Sequence, residues 1–186
     1  MASAGPNTGA TAANDSSNGS ALNWSGSANA VSSNDARASI TLSSGSVNIS
    51  RYLKITNFGF AIPTGATIDG IVAEIEAQSS TGTKGVWEEV RLVKASTVTG
   101  SDLSSAIDLP ASDTFVSHGG ATELWGETWS STDINSSGFG VAISVTNASA
   151  SSQNALIDSA RITVYYTLPG SLAMRSTSIP MSIMVR

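Results

Sequence analysis

Few side chains in this sequence have the chemistry of a catalytic site, and their spacing matches no common motif. The one histidine, His118, follows Ser117 in a Ser-His-Gly-Gly stretch. Nucleophilic catalysis needs a base beside the nucleophile and an acid that orients the base, and no Gly-x-Ser-x-Gly motif is present. We therefore predict that His118 lies in a solvated loop, that there are no catalytic residues and that the protein is not an enzyme.

The closest carboxylate pairs are Glu88 with Glu89, and Glu123 with Glu127. A glycosidase requires two carboxylates that face each other across a cleft. Glu88 and Glu89 would point to opposite faces of a strand over residues 86–94, because side chains alternate along a strand. We interpret both pairs as surface or salt-bridged carboxylates.

Metal and cofactor sites are weakly indicated. The chain has no cysteine and one histidine, whereas a zinc site needs three or four such ligands or carboxylates. No Asp-x-Asx-x-Asx-Gly loop occurs, but oxygen ligands between Asp102 and Asp113 leave a calcium ion as an alternative. The Gly119-Gly120 pair lacks the strand-to-helix setting of a phosphate loop. We predict no cofactor and no metal.

The tryptophans are the remaining candidates for binding. Trp125 and Trp129 lie close together in the chain, while Trp24 and Trp87 lie apart from them. Buried indoles would anchor irregular segments to a core, whereas exposed indoles on a β-sandwich would form a platform for sugar rings or a subunit contact. We favour anchoring and keep Trp87, Trp125 and Trp129 as candidate contact aromatics.

The charge composition limits the classes of partner that we expect the protein to bind. Of the 186 residues only 12% are charged, about half the usual share. The net charge is -5 and the nine Lys and Arg residues form no cluster, so we expect binding neither to nucleic acid nor to an anionic membrane surface. No apolar run approaches the length of a membrane span, and residues 1–11 carry no secretory leader pattern.

The elements that must position these residues are strands. Apolar and polar residues alternate, or apolar runs end at Gly and Pro turns, and no window has a helical period. Strands are predicted over residues 39–43, 46–58, 67–78, 86–94, 138–147 and 155–167, with a short one around Phe115 and Val116. This pattern predicts an all-β, antiparallel β-sandwich that is jelly-roll-like.

The ends differ from the middle of the chain. Residues 1–20 are almost free of apolar side chains and predict a flexible N-terminal arm. Residues 21–167 form the β-sandwich domain, and residues 168–186 form a C-terminal arm. That arm would add as a strand to a neighbouring subunit or fold back on its own domain. Its apolar residues, mainly two apart, are Leu172, Met174, Ile179, Met181, Ile183 and Val185.

A series of short runs resembles a known family. In chain order they are Asn23-Trp24, Asn34-Asp35-Ala36, Tyr52-Leu53, Phe58-Gly59-Phe60-Ala61-Ile62-Pro63, Gly65-Ala66-Thr67-Ile68-Asp69-Gly70-Ile71, Val90-Arg91-Leu92-Val93-Lys94, Leu124-Trp125-Gly126, Phe139-Gly140-Val141, Ile157-Asp158 and Val164-Tyr165-Tyr166. Over residues 22–167 their order resembles a β-sandwich domain of tailed-bacteriophage virion proteins. The resemblance brings no catalytic residues with it.

The resemblance implies a virion structural protein, made in the host cytoplasm. A capsid decoration (cement) protein fits best, with the phage capsid or another virion protein as partner and a homo-oligomer, preferably a trimer, as the assembled form. One alternative is a tail, fibre or baseplate component. The other alternative is a carbohydrate-binding module that uses the tryptophan platform.

Overall fold

The described part of the chain folds into ten strands and two short helices. The structure, a computed structural model, describes residues 1–44, 48–79, 85–105, 108–147 and 149–170. The strands are β1 (Ala2–Thr8), β2 (Thr11–Asp15), β3 (Ala38–Leu42), β4 (Tyr52–Thr56), β5 (Thr67–Ser79), β6 (Gly85–Lys94), β7 (Thr97–Thr99), β8 (Thr114–Gly120), β9 (Gly140–Asn147) and β10 (Gln153–Thr167). A 3-10 helix covers Ser27–Asn29 and helix α1 covers Ser131–Asn135.

The strands form two antiparallel sheets. The first sheet has the order β1-β10-β5-β8, with β3 also paired to β10 beyond the end of β1. The second has the order β2-β4-β9-β6-β7. The prediction of an all-β antiparallel protein is confirmed, and the jelly-roll connectivity stays a prediction.

The long strands form where the sequence alternates. On β5, Ile71, Ala73 and Ile75 are fully buried, and on β10 so are Ile162 and Val164. The inner faces of both sheets contribute to one hydrophobic core. Burying an isoleucine or valine side chain stabilises a fold by about 1.5–3 kcal/mol. The face of each strand that carries these residues therefore turns inward.

An aromatic group closes the core where β4 ends. Asn57 and Gly59 have positive φ values of 63° and 65°, and these turn the chain away from the sheet. Phe58 and Phe60 then fold inward and pack against Phe139, with ring centroids 6.3 and 5.9 Å from it. Strand β4 ends before this turn at Thr56, within the strand predicted over residues 46–58.

The prediction of a flexible arm at residues 1–20 is wrong. β1 pairs with β10 in the first sheet, and β2 pairs with β4 in the second. Backbone hydrogen bonds to strands already present stabilise these two segments, although their own side chains bury little surface. The link between them passes close to the core, since a Cβ atom at Gly9 would lie 2.4 Å from Ile55 Cγ2.

The opposite end leaves the body at Thr167. Of the predicted C-terminal arm, only residues 168–170 belong to the described part of the chain, and Leu168 is 55% exposed. Within the described ranges, no helix is long and apolar enough to cross a membrane.

Candidate functional site

His118 lies in strand β8, so the prediction of a solvated loop is wrong. It pairs with Ala73 of β5, and its side chain points into the core with 3% of its surface exposed. The Gly119-Gly120 pair indicates a turn in the sequence, yet both glycines continue the strand beside β5. A tight fit explains the first of them, because a Cβ atom at Gly119 would lie 2.4 Å from the Ile71 carbonyl oxygen.

The surroundings of His118 are structural rather than catalytic. Its Nδ1 lies 3.0 Å from the Leu103 carbonyl oxygen. A carbonyl only accepts hydrogen bonds, so we assign the proton to Nδ1. Burial lowers the pKa of His118, while the Leu103 hydrogen bond and the charge of Asp102 raise it to a lesser extent. The ring is therefore neutral at pH 7, and it packs edge-to-face on Trp87 at 5.1 Å between centroids.

All four tryptophans are buried, with exposures between 0 and 9%. Trp125 donates from Nε1 to the Ile71 carbonyl oxygen at 3.0 Å, and Trp129 donates to the Leu124 carbonyl oxygen at 3.0 Å. Trp24 donates to the Arg51 carbonyl oxygen at 2.9 Å. These contacts anchor loops to the core, as the favoured interpretation predicts.

The candidate contact aromatics therefore form no platform in this structure. Trp87 lies against His118 inside the core, and its Nε1 has no hydrogen-bond partner among the described residues. The six-membered faces that would stack on a sugar ring are covered by protein.

Three carboxylates converge near a β-bulge of β10, between Ile157 and Ser159. Asp35, Asp113 and Asp158 each place one oxygen within 4.8 Å of the others. Arg37 is the cation of this group, since its guanidinium pairs with both Asp35 and Asp113. The hydrogen bonds that Arg37 donates to Asp113, together with the charges of all three aspartates and against the opposing effect of burial, raise the pKa of Arg37. The cluster is thus neutralised in part from within the chain.

Asp158 holds the segment that precedes β3 against the first sheet. It is 2% exposed and lies where a β-bulge shifts the register of β10 between Ile157 and Ser159. Its Oδ2 accepts hydrogen bonds from the backbone N–H groups of Asn34 and Asp35, at 3.0 and 2.9 Å. The sequence alone does not predict this role. An aspartate inside a predicted strand indicates a specific polar contact, but nothing in the residue spacing identifies the partner.

The calcium alternative is not supported at its two ends. Asp102 Oδ1 accepts from the backbone N–H groups of Val90 and Ser104, at 2.9 and 2.8 Å. Asp113 instead binds Arg37. These contacts make Asp102 a local turn-former and Asp113 an ion-pair partner, and among the described residues Asp113 converges with Asp35 and Asp158 rather than with Asp102.

Three glutamates of the two close pairs also have local partners, namely Glu89, Glu123 and Glu127. Glu123 accepts from the Trp125 N–H at 2.7 Å, and Glu127 accepts from the Thr99 hydroxyl. Glu89 accepts from the Tyr52 hydroxyl and forms a 2.8 Å ion pair with Arg91.

The Glu89 network lines a shallow polar pocket of about 360 Å³ on the outer face of the second sheet. Burial, followed by the hydrogen bond and charge of Glu89, raises the pKa of Tyr52. Tyr52 and Arg91 both donate hydrogen bonds to Glu89, so the charged groups of this pocket are paired with one another.

The sheet edges are the surfaces suited to assembly. β1 and β8 are end strands of the first sheet, and β2 and β7 are those of the second. β3 lies beside β1 on the same side of β10, and its other side is bridged at Ser39 by Ser25. The described strands therefore offer edges at β1, β3, β8, β2 and β7. The six apolar residues proposed as an interface, Leu172, Met174, Ile179, Met181, Ile183 and Val185, lie outside the described residues.

Known proteins add no assignment to this arrangement. A comparison with protein-family models, with curated proteins and with solved structures finds no match to the chain.

Proposed function

We propose that this chain is a non-enzymatic structural protein of a virion. In this proposal it is a capsid decoration protein, a jelly-roll-like sandwich that binds and stabilises a phage head through contacts between copies. The observation that carries the proposal is the C-terminal segment. Among the described residues the buried core cluster extends from Ala12 to Val164, and alternating apolar residues follow this body in the sequence.

The free energy of covering that segment is substantial. Burying its six large apolar side chains would contribute on the order of 10 kcal/mol before the costs of association. Left exposed, an alternating apolar strand promotes uncontrolled aggregation. A neighbouring subunit that covers it converts this liability into an ordered assembly, and symmetry repeats the contact in every copy.

The surface of the body agrees with a scaffolding role. Among the carboxylates near each other, Asp113 is engaged by Arg37, Glu89 by Arg91 and Glu123 by the Trp125 N–H. The resemblance of residues 22–167 to virion β-sandwich domains supports the virion as the location. The carbohydrate-binding alternative has no such support, because Trp87, Trp125 and Trp129 are buried.

The test compares the full chain with a variant that lacks residues 171–186. Light scattering after size exclusion, over a dilution series, should show a closed oligomer for the full chain and a monomer for the variant. The tryptophan fluorescence of both should report a folded core, because the buried indoles lie before residue 130.

Binding to virion parts completes the test. The full chain should sediment with phage heads that lack it, and the shortened variant should not. Binding to tails instead of heads would favour the tail, fibre or baseplate alternative. A monomeric full chain that binds neither would refute the proposal.

A further inference from the structure

We propose that the outer edge of β8 receives residues 171–186 of a neighbouring copy as an added strand. We call this edge, formed by Thr114–Gly120, the β8 edge. The inference rests on the proposed function, since it presupposes that copies assemble. It goes further by identifying the surface that each copy presents to the C-terminal segment of the next.

The β8 edge is open for backbone pairing. β8 pairs with β5 in an unbroken register from Ala77↔Thr114 to Ile71↔Gly120. Among the described residues, no strand pairs with its other side. In an antiparallel strand, alternate residues direct their N–H and C=O groups away from the partner. About half of the residues of β8 therefore present unpaired groups to an incoming strand.

The other edges are blunted in ways that β8 is not. β1 contains Pro6 and a register shift between Ala4 and Asn7, and both hinder the addition of a strand. β7 has three residues, and β2 ends in the charged Asp15. β3 has five residues, and its side away from β10 is already bridged by Ser25 through two backbone hydrogen bonds with Ser39. β8 has seven residues, with no proline and none of Asp, Glu, Lys or Arg. Proteins usually protect such an edge, so an unprotected one indicates an occupant.

The faces beside this edge suit the proposed strand. Val116 points inward and packs against the core, while Phe115 points outward beneath the guanidinium of Arg161. In the C-terminal segment, apolar residues at 179, 181, 183 and 185 share one strand face, and serines at 178 and 182 share the other. The apolar face would continue the core beyond Val116.

Pro180 is compatible with this arrangement. It falls on the serine face of the proposed strand. An added strand is itself an edge strand, where a missing N–H can face solvent.

The path of the chain favours a neighbour over self-folding. β10 and β8 are separated by β5, a distance of about 10 Å at two strand spacings. The segment that follows β8 lies between the end of β10 and the β8 edge. Its Glu123 backbone carbonyl accepts from the Ile71 N–H at 3.0 Å, and the Ala121 backbone packs directly on Gly70. Sixteen residues can extend about 50 Å, which is enough to reach another subunit.

Disulfide trapping tests the proposal on the full-length protein. The chain has no cysteine, so single cysteines can be placed without background. One tagged chain carries Ser117→Cys on the β8 edge, and a second, differently tagged chain carries a cysteine at Ser176, Ser178 or Ser182. The control chain carries Ser3→Cys on the edge of β1, where Ser3 is likewise exposed. We expect a mixed disulfide with Ser117→Cys and none above background with the control.

A charge at the same place provides a second measurement. Ser117→Lys should lower the mass of the oligomer, because lysine on an edge strand opposes strand addition, and Ser3→Lys should not. A closed oligomer that forms no Ser117 cross-link, or one that is indifferent to Ser117→Lys, would overturn this inference and leave the proposed function standing. A cross-link confined to single chains carrying both cysteines would overturn it in favour of self-folding. Absence of both oligomer and capsid binding would overturn the two together.

Discussion

Acidification should weaken the fold through His118. The folded protein holds this ring neutral, with Nδ1–H on the Leu103 carbonyl and Nε2 buried without a partner. Protonation would create an N–H donor at Nε2 in a place that offers no acceptor among the described residues. Burial therefore lowers the pKa of His118 below the 6.5 of a free histidine, and the unfolded chain takes up the proton first.

The size of the effect follows from proton linkage. Well above pH 6.5 His118 is neutral in both the folded and the unfolded state, so its titration does not change the free energy of unfolding there. Below pH 6.5 the unfolded state binds one more proton, and the free energy of unfolding falls by up to about 1.4 kcal/mol per pH unit. The fall ends once the pH passes the folded-state pKa of His118.

Urea unfolding followed by tryptophan fluorescence would measure this slope between pH 8 and pH 5. The matched variant is His118→Asn, whose side-chain N–H can still reach the Leu103 carbonyl oxygen but cannot titrate. Its stability at pH 8 will be lower because the side chain is smaller, and only the pH slope is compared. We expect the slope below pH 6.5 in the wild type and its loss in the variant.

Other titrating groups act elsewhere or cancel in the comparison. The pKa of Asp15 is lowered to about 2, mainly by its bonds to Lys54 and Ser17 against the opposing effect of burial, so its contribution is lost only in strong acid. Burial raises the pKa of Glu88, which opposes the His118 effect, but Glu88 is present in both proteins. Parallel pH slopes for wild type and variant would refute the assignment to His118.

Two substitutions test the anchoring contacts by urea denaturation. Asp158→Ala removes a buried carboxylate that accepts from two backbone N–H groups and should cost about 3 kcal/mol, while Asp158→Asn keeps one acceptor oxygen and should cost clearly less. Equal losses would show that the carboxylate does not hold the turn at residues 34–35. Trp125→Phe removes the bond to the Ile71 carbonyl and should cost about 2 kcal/mol, more than Trp129→Phe, whose indole is less buried; the reverse order would contradict the anchoring role.

Alternation made the strands predictable. The predicted segments at 67–78, 86–94 and 155–167 match β5, β6 and β10 within a few residues, and their inward faces are buried as expected. Side chains of a strand point to opposite faces whatever the strand pairs with, so the pattern is local. The turn after β4 also has a local cause, because glycine readily adopts the positive φ found at Gly59.

Contacts between distant segments could not be predicted. Asp158 meets the Asn34 N–H across 124 positions of sequence, and no local pattern connects them. His118 is buried because β5 and the Leu103 loop enclose it, whereas its own neighbours in the chain are Ser and Gly. The N-terminal strands were missed because their stability comes from the edges they join.

The sequence by itself determined that this is an all-β chain, which face of each long strand is apolar, and that an alternating apolar segment remains at the C-terminus. These properties follow from side-chain order along a strand. Only the tertiary structure decided which edges are paired, that the tryptophans are covered and that no strand of the described residues pairs with the outer side of β8. Burial and pairing depend on what the rest of the chain brings alongside, and that is a property of the whole fold.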